Sequence, residues 1–343
     1  MSFEFGIFTL TERIPNLSTK TIPSYKERID EIVEMGVYAE ELGLDIFGVG
    51  EHHRLDYAVS SPQMVLAAIA QATKNIRLTA MTTVLNTTDP VRAFEDFATL
   101  DLLSNGRAEF TAGRGAFVES FPLFGYDERD YDSLFEEHLE LFLALTKNEK
   151  ITWDGKYRSS LVDAEISPRP IQETLPTWVG VGGTIESAIR AGNYGCHLAV
   201  ALISGVTIRY QALISAFKDA RNSSDQRISL NGHTFIRETK TEIEQLFYPH
   251  YANYWKFLSS INGGGQMNVS RTDMKFITSP ESSLFVGTPD QIVEKILYQH
   301  ELFGHDRFVA QVDIGGQSKE NIFQTMELLA TEVAPKVKEK LKK

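Results

Sequence analysis

Ile76-Arg77-Leu78-Thr79-Ala80-Met81-Thr82-Thr83-Val84-Leu85 is rich in β-branched and apolar residues and reads as a buried strand. Asp89-Pro90 follows, a helix N-cap with proline at the first helical position. The helix this opens runs to Leu103 and stops at Ser104-Asn105-Gly106, and Arg107 to Gly113 is again a strand. Residues 76–113 are therefore one strand–helix–strand unit, and the rest of the chain repeats it.

Upstream, Phe3 to Thr9 is a strand, Tyr25 to Leu42 a helix, Leu44 to Gly50 a strand and Pro62 to Thr73 a helix. Downstream, a helix at Ser133 to Leu145 precedes an irregular stretch that ends in Pro168, Pro170 and Pro176. Strands are expected at Trp178 to Gly182, Cys196 to Leu202, Ile228 to Ile236 and Phe308 to Asp313. Helices are expected at Ile185 to Asn193, Thr207 to Arg221, Glu242 to Leu258, Pro289 to Phe303 and Lys319 to Lys338. Alternating strands and helices imply a parallel sheet with helices outside. Eight such units fit a closed barrel better than an open sheet. The expected fold class is α/β, a single (β/α)8 TIM barrel with insertions, as one domain over 1–343.

The 343 residues are 42% hydrophobic and 23% charged, a globular mixture rather than a disordered one. No apolar run approaches the ~18 residues of a membrane span. Met1-Ser2-Phe3-Glu4-Phe5 has neither a basic start nor an apolar signal stretch. A lone Cys196 suits a reducing compartment and reads as a small core residue, so a cytoplasmic protein is expected. The net charge of −12, from 34 basic and 46 acidic residues, repels phosphate backbones and anionic lipid. No nucleic acid and no membrane is expected as a partner. The lysines at 336, 338, 340, 342 and 343 read as a solvated helix end.

In such a barrel the chemistry sits where strands run into helices. The second strand ends in Glu51-His52-His53. Adjacent side chains diverge, so one histidine at most faces the mouth, as a possible general base, and a shared metal is disfavoured. The alternative is a histidine satisfied by Glu51 or by a loop carbonyl. The fourth strand ends in Gly113-Arg114-Gly115, where Arg114 can grip a phosphate or a carbonyl-rich ring, or simply pair with a carboxylate. Gly182-Gly183-Thr184 with Ser187 outlines a phosphate cradle at a helix start, or a plain capped turn.

Taken together, Glu51-His52-His53, Asp89-Pro90-Val91-Arg92, Ser104-Asn105-Gly106-Arg107 and Gly113-Arg114-Gly115 with Phe124-Gly125 resemble the bacterial luciferase-like flavin monooxygenases. So do Gly182-Gly183-Thr184 with Glu186-Ser187, Val286-Gly287-Thr288-Pro289, Met326-Glu327-Leu328 and Val333-Ala334-Pro335. The resemblance spans the chain in order. It implies reduced FMN at the C-terminal mouth, supplied by a separate flavin reductase, and dioxygen used to oxygenate a small organic substrate. It implies a flavin ring over Met81, Thr82 and Gly113, with a non-proline cis peptide at Met81–Thr82. It places the phosphate near Arg114, Gly182, Gly183, Thr184 and Ser187, and the catalytic base at His52.

There are departures. Gly113 stands where the luciferases carry a reactive cysteine, and the lid segment, within Ser259 to Ser283, is shorter. Both weaken a light-emitting reading. Gly263-Gly264-Gly265 is the expected lid hinge. Val49, Met81 and Leu202 are expected to form a dry wall, and Phe117, Phe121 and Phe124 read equally as an apolar substrate surface or as packing. A homodimer is expected through Met64, Val65 and Ala68 with Phe94, Phe97 and Leu100, residues that could equally be core. The rival readings are a deazaflavin-dependent oxidoreductase, a non-catalytic flavin-binding barrel and a metal-dependent hydrolase on Glu51, His52 and His53.

Overall fold

The computed structural model describes residues 2–115, 117–262 and 274–342. In chain order its strands are β1 (Glu4–Thr9), β2 (Ile46–Val49), β3 (Arg77–Ala80), β4 (Thr83–Val84), β5 (Ala108–Gly113), β6 (Lys150–Trp153), β7 (Leu161–Glu165), β8 (Thr177–Val181), β9 (His197–Leu202), β10 (Ile228–Ile236), β11 (Phe285–Gly287) and β12 (Arg307–Gln311). The helices are α1 (Tyr25–Glu41), α2 (Pro62–Ala72), α3 (Pro90–Ser104), α4 (Ser120–Phe124), α5 (Tyr131–Lys147), α6 (Ile185–Asn193), α7 (Gln211–Ala220), α8 (Lys240–Asn262), α9 (Met274–Ile277), α10 (Pro289–Phe303), α11 (Lys319–Leu328) and α12 (Ala334–Lys340).

The strands β1, β2, β3, β5, β8, β9, β10 and β12 pair in that order, all parallel, and β12 returns to β1. The sheet is thus a closed eight-stranded barrel, as the alternating pattern requires. Among the described residues no helix is long and apolar enough to cross a membrane.

Local signals set the boundaries. Asp89 accepts from the backbone N–H groups of Val91 and Arg92, and Asn105 closes α3 in the left-handed region at φ 58°. Three elements depart from the sequence reading. The run Ile76 to Leu85 splits into β3 and β4 around the Met81–Thr82 bond. The irregular stretch contains an antiparallel ribbon, β6 with β7. The last helix is interrupted by a π-turn over Leu329–Val333 just before Pro335, which has no N–H to give Thr331. Gly263, Gly264 and Gly265, the expected lid hinge, lie outside the described residues.

Strand side chains alternate between the helices and the lumen. Outward residues such as Val49, Phe110 and Leu202 join the large core beneath the helices. Inward, Phe8, Ile46, Met81 and Val309 form a separate lumen cluster. This corrects the expected dry wall: Val49 and Leu202 face the helices, and of the three only Met81 faces the lumen. The expected dimer residues divide in the same way. Phe94, Phe97, Leu100 and Val65 are core, whereas Met64 is 73% exposed and Ala68 is also exposed. Cys196 is buried, and burial pushes its thiol up to about 12.

Below the lumen cluster, at the N-terminal end of the barrel, is a charged plug. Arg307 donates to both oxygens of Glu109 at 2.7 and 2.9 Å and to Glu4 at 2.7 Å. Arg77 and Arg227 join the same two acids. Burial alone would raise the Glu4 carboxyl, but Arg307, Arg227 and Arg77 outweigh it and hold it down at about 2. The barrel is therefore closed at this end, and a ligand must enter from the other.

Candidate active site

At the C-terminal mouth the two histidines after β2 part as strand geometry demands. His53 Nε2 lies 2.9 Å from Glu51 Oε1, and Glu51 Oε2 accepts from the Val84 backbone N–H at 3.0 Å. This carboxylate ties the loop after β2 to β4, so Glu51 and His53 are structural. His52 is left without that partner. Its ring lies 4.0 Å from Tyr57 and 5.4 Å from Phe117, centroid to centroid. Desolvation, aided by His53, pushes its pKa down to about 3, so the imidazole is neutral through the physiological range. Phe124 meets His53 edge-on and Phe121 stacks on Tyr131, so of the three phenylalanines Phe117 is the one that touches His52.

The Met81–Thr82 peptide is cis. Three glycines on neighbouring strands make room for this pair. A Cβ on Gly113 would lie 1.8 Å from the Thr82 hydroxyl, one on Gly180 2.6 Å from Thr82 Cγ2, and one on Gly48 2.5 Å from Met81 Cγ. The structure thus brings Met81, Thr82 and Gly113 together, with the space that the three glycines leave on β2, β5 and β8 filled by Met81 and Thr82.

Arg114 continues β5 outward and does both things its sequence left open. Its guanidinium pairs with Asp132 at 2.6 Å and donates to Thr184 Oγ1 at 3.2 Å. Thr184 precedes α6 but makes no side-chain cap, so the first N–H groups of that helix have no hydroxyl partner from it. Ser187, in the first turn, is buried and its Oγ has no partner. A Cβ on Gly182 or Gly183 would meet nothing within 4 Å. Open backbone, uncapped helix N–H groups, a bare buried hydroxyl and an arginine all lie at the start of α6, and that donor set suits a phosphate. Arg190, one turn along α6, reaches Asp132 at 3.7 Å and keeps Nη1 unpaired; the sequence reading missed it.

The opposite wall, from β10, β12 and the end of β1, was also missed. His233 points into the lumen beside Gln311, edge-on to Tyr254 at 5.1 Å, with Nδ1 unpartnered. Burial pushes its pKa down to about 4. Gln311 donates to Glu12 Oε1 at 3.1 Å, and the Glu12 backbone bridges to Tyr57. Glu12 follows the first strand as His52 follows the second, so the strand-end rule covers it equally. Among the described residues no cluster of three His, Cys, Asp or Glu is arranged for a metal ion.

Comparison with known proteins fits this geometry. The luciferase-like monooxygenase profile matches residues 3–306. The oxygenase component of a flavin-dependent trigonelline monooxygenase from Acinetobacter baylyi is 24% identical, across 96% of this chain and 94% of that protein. An F420-dependent glucose-6-phosphate dehydrogenase from Amycolatopsis mediterranei is 27% identical, across 58% of this chain and 61% of its own. In three dimensions the monooxygenase RslO1 of Streptomyces bottropensis superposes with a TM-score of 0.84 at 23% identity, across 97% of this chain and 99% of that one. The oxygenating constituent of 3,6-diketocamphane monooxygenase from Pseudomonas putida, a complex with FMN, gives 0.78 at 20%, across 98% and 99%.

Proposed function

The chain belongs to the luciferase-like monooxygenases, and from that premise we propose that it is the oxygenase half of a two-component system, using reduced FMN and dioxygen to oxygenate a small organic substrate. The observation that carries the reading is the bare Ser187 hydroxyl at the uncapped start of α6, with Arg114 delivered to Thr184 beside it. Arg114, Gly182, Gly183, Thr184 and Ser187 would hold the phosphate. Met81, Thr82 and Gly113 would meet the ring, at the strand ends that the glycines let pack closely together. When bound, reduced flavin supplies the two electrons with which dioxygen is activated.

The chain's own residues bind, shield and move protons. The lumen cluster of Phe8, Ile46, Met81 and Val309 keeps water from rising through the barrel. The Tyr57 and Phe117 rings shield His52 from the side. His52, neutral throughout the working range, accepts a hydrogen bond at an imidazole nitrogen and takes a proton only transiently, because burial has lowered its basicity. Its activity profile should therefore show no inflection near the usual histidine value. The electrons come from a partner reductase, by analogy with the Acinetobacter protein, which is named an oxygenase component. The exposed Met64 and Ala68 on α2, with Leu102 and Leu103 at the end of α3, form the face through which we expect a homodimer.

A deazaflavin-dependent oxidoreductase is the second reading, favoured by likeness to the Amycolatopsis enzyme. Anaerobic titration with reduced FMN and, separately, with reduced F420 tests both. Saturable binding of FMN, followed by faster oxygen consumption on aeration when substrate is found, supports the first reading. Binding of F420 alone gives the second. Binding of neither removes both.

A further inference from the structure

We propose that Asp132 is a movable counter-anion of the cradle, which holds Arg114 while the seat at the start of α6 is empty and passes to Arg190 when a phosphate arrives. This rests on the reading of that seat as the place of the flavin phosphate, and it adds how the seat exchanges its occupant.

Asp132 stands in the first turn of α5, and both arginines reach the same oxygen of its carboxylate. Arg114 Nη1 donates to Asp132 Oδ1 at 2.6 Å, and Arg190 Nη2 lies 3.7 Å from it. The first contact is a charged hydrogen bond, and the second is an ion pair too long to be one. The carboxylate is therefore held by one arginine and only faced by the other. Arg190 has donors to spare for it: Nε donates to Glu136 at 2.8 Å, whereas the buried Nη1 has no partner.

Exposure and packing decide which member moves. The Asp132 side chain is 67% exposed, against 18% for Arg114 and 12% for Arg190. Arg114 lies 5.0 Å from the centre of the Tyr131 ring, whose hydroxyl donates to the Gly115 carbonyl at 2.8 Å, and Arg190 lies 5.9 Å from the centre of the Phe135 ring. The two guanidinium groups are packed in place, and the short carboxylate between them is the free part.

Arg114 Nη2 also donates to Thr184 Oγ1 at 3.2 Å, so one guanidinium spans from Asp132 to the start of α6. A phosphate seated there takes the same guanidinium, and two anions on one cation repel each other. Rotation of Asp132 toward Arg190 relieves that repulsion and keeps the carboxylate paired. Displacing Asp132 offsets part of the phosphate's attraction, so the flavin is held less tightly than by an uncontested arginine. A flavin delivered by a separate reductase has to leave after each turnover, and a contested arginine suits that exchange.

Anaerobic fluorescence titration of the full chain with reduced FMN, and with reduced riboflavin, which has no phosphate, tests this. The parent should prefer FMN. Asp132→Asn should tighten FMN about three- to ten-fold and leave riboflavin unchanged, and the gain should shrink as salt is raised. Arg190→Gln should weaken FMN about three- to ten-fold in the parent, because the displaced carboxylate loses its second seat, and less than about two-fold beside Asp132→Asn. Thermal melts confirm that each variant is folded, and the exposed Asp132 decides alone if the Arg190 variant is not. The proposal falls if Asp132→Asn leaves FMN affinity unchanged or weakens it, since the carboxylate then only positions Arg114. It falls also if Arg190→Gln weakens FMN equally in both backgrounds, since Arg190 then touches the phosphate itself. In either case a preference for FMN over riboflavin keeps the phosphate reading, whereas equal affinity of the parent for the two removes both.

Discussion

The two ends of one barrel lumen treat buried polar groups in opposite ways. At the N-terminal end Glu4, Arg77, Glu109, Arg227 and Arg307 pair with one another in a dense ionic plug. At the C-terminal end Glu12 Oε2, Thr83 Oγ1, Ser187 Oγ and His233 Nδ1 are buried and bare. Both ends are built from the same alternating strands, so the fold does not require the difference. Bare buried polar atoms are costly, about 1–3 kcal/mol each, and those at the mouth stand where an incoming ligand could pair with them, although the plug end also carries one in Trp178 Nε1 beside Arg307. The comparison separates the end that is paired throughout its ionic plug from the end that holds the candidate site.

Breaking the plug should give the largest effect. Glu109→Ala strips Arg307 of a two-point partner in a buried site and should cost about 3–5 kcal/mol in urea denaturation, with flavin affinity preserved in whatever remains folded. A loss below about 1 kcal/mol would mean the plug is not what holds that end. At the mouth the balance reverses. His52→Ala should slow turnover about 10²–10⁴-fold while reduced-flavin affinity and melting temperature stay near the parent's. An equal loss of binding and rate would make His52 structural.

Arg114→Ala should weaken FMN about ten- to a hundred-fold, read by anaerobic fluorescence titration, because a charged hydrogen-bond donor leaves the cradle. An unchanged affinity would move the phosphate elsewhere. Gly113→Ala forces Thr82 to shift and should cost about 1–3 kcal/mol, part of which Thr82→Ala in the same chain restores. Strict additivity of the two changes would show that they do not touch.

Acid probes the buried histidines without any substitution. His233 and His305 are buried with pKa values pushed down to about 4 and about 3, against about 6.5 in an unfolded chain. Below pH 6.5 the unfolded chain takes up protons that the native one refuses, so stability is full above that value and falls as pH drops toward 4. Each such histidine contributes about 1.4 kcal/mol per pH unit in that window. Glu12 runs the other way, since its raised carboxyl favours the fold at low pH and loses that contribution as pH rises above the usual carboxylate value. Glu12→Gln should therefore melt higher than the parent at pH 8 and level with it near pH 4.

Much of the candidate site's geometry was legible because its signals are local. Asp89-Pro90 capped α3, glycines marked the turn before α6, and His52 parted from His53 by the strand period. Arg114 could be placed at a strand end, but its choice between Asp132 and Thr184 depends on residues 18 and 70 positions away, and it takes both. The facing of Val49 and Leu202 was misjudged because a doubly covered strand is apolar on both sides and periodicity cannot tell them apart. The β6–β7 ribbon escaped because its exposed residues carry little hydrophobic pattern.

The order of strands and helices, and with it the closed barrel and the rim that carries the candidate site, was written in the chain by itself, since hydrophobic periodicity and capping act over a few residues. Tertiary structure alone decided which buried polar atoms go unpaired. That depends on whether Gln311 reaches Glu12 across 299 positions or Arg307 reaches Glu109 across 198. Partners so distant along the chain meet only when the barrel closes.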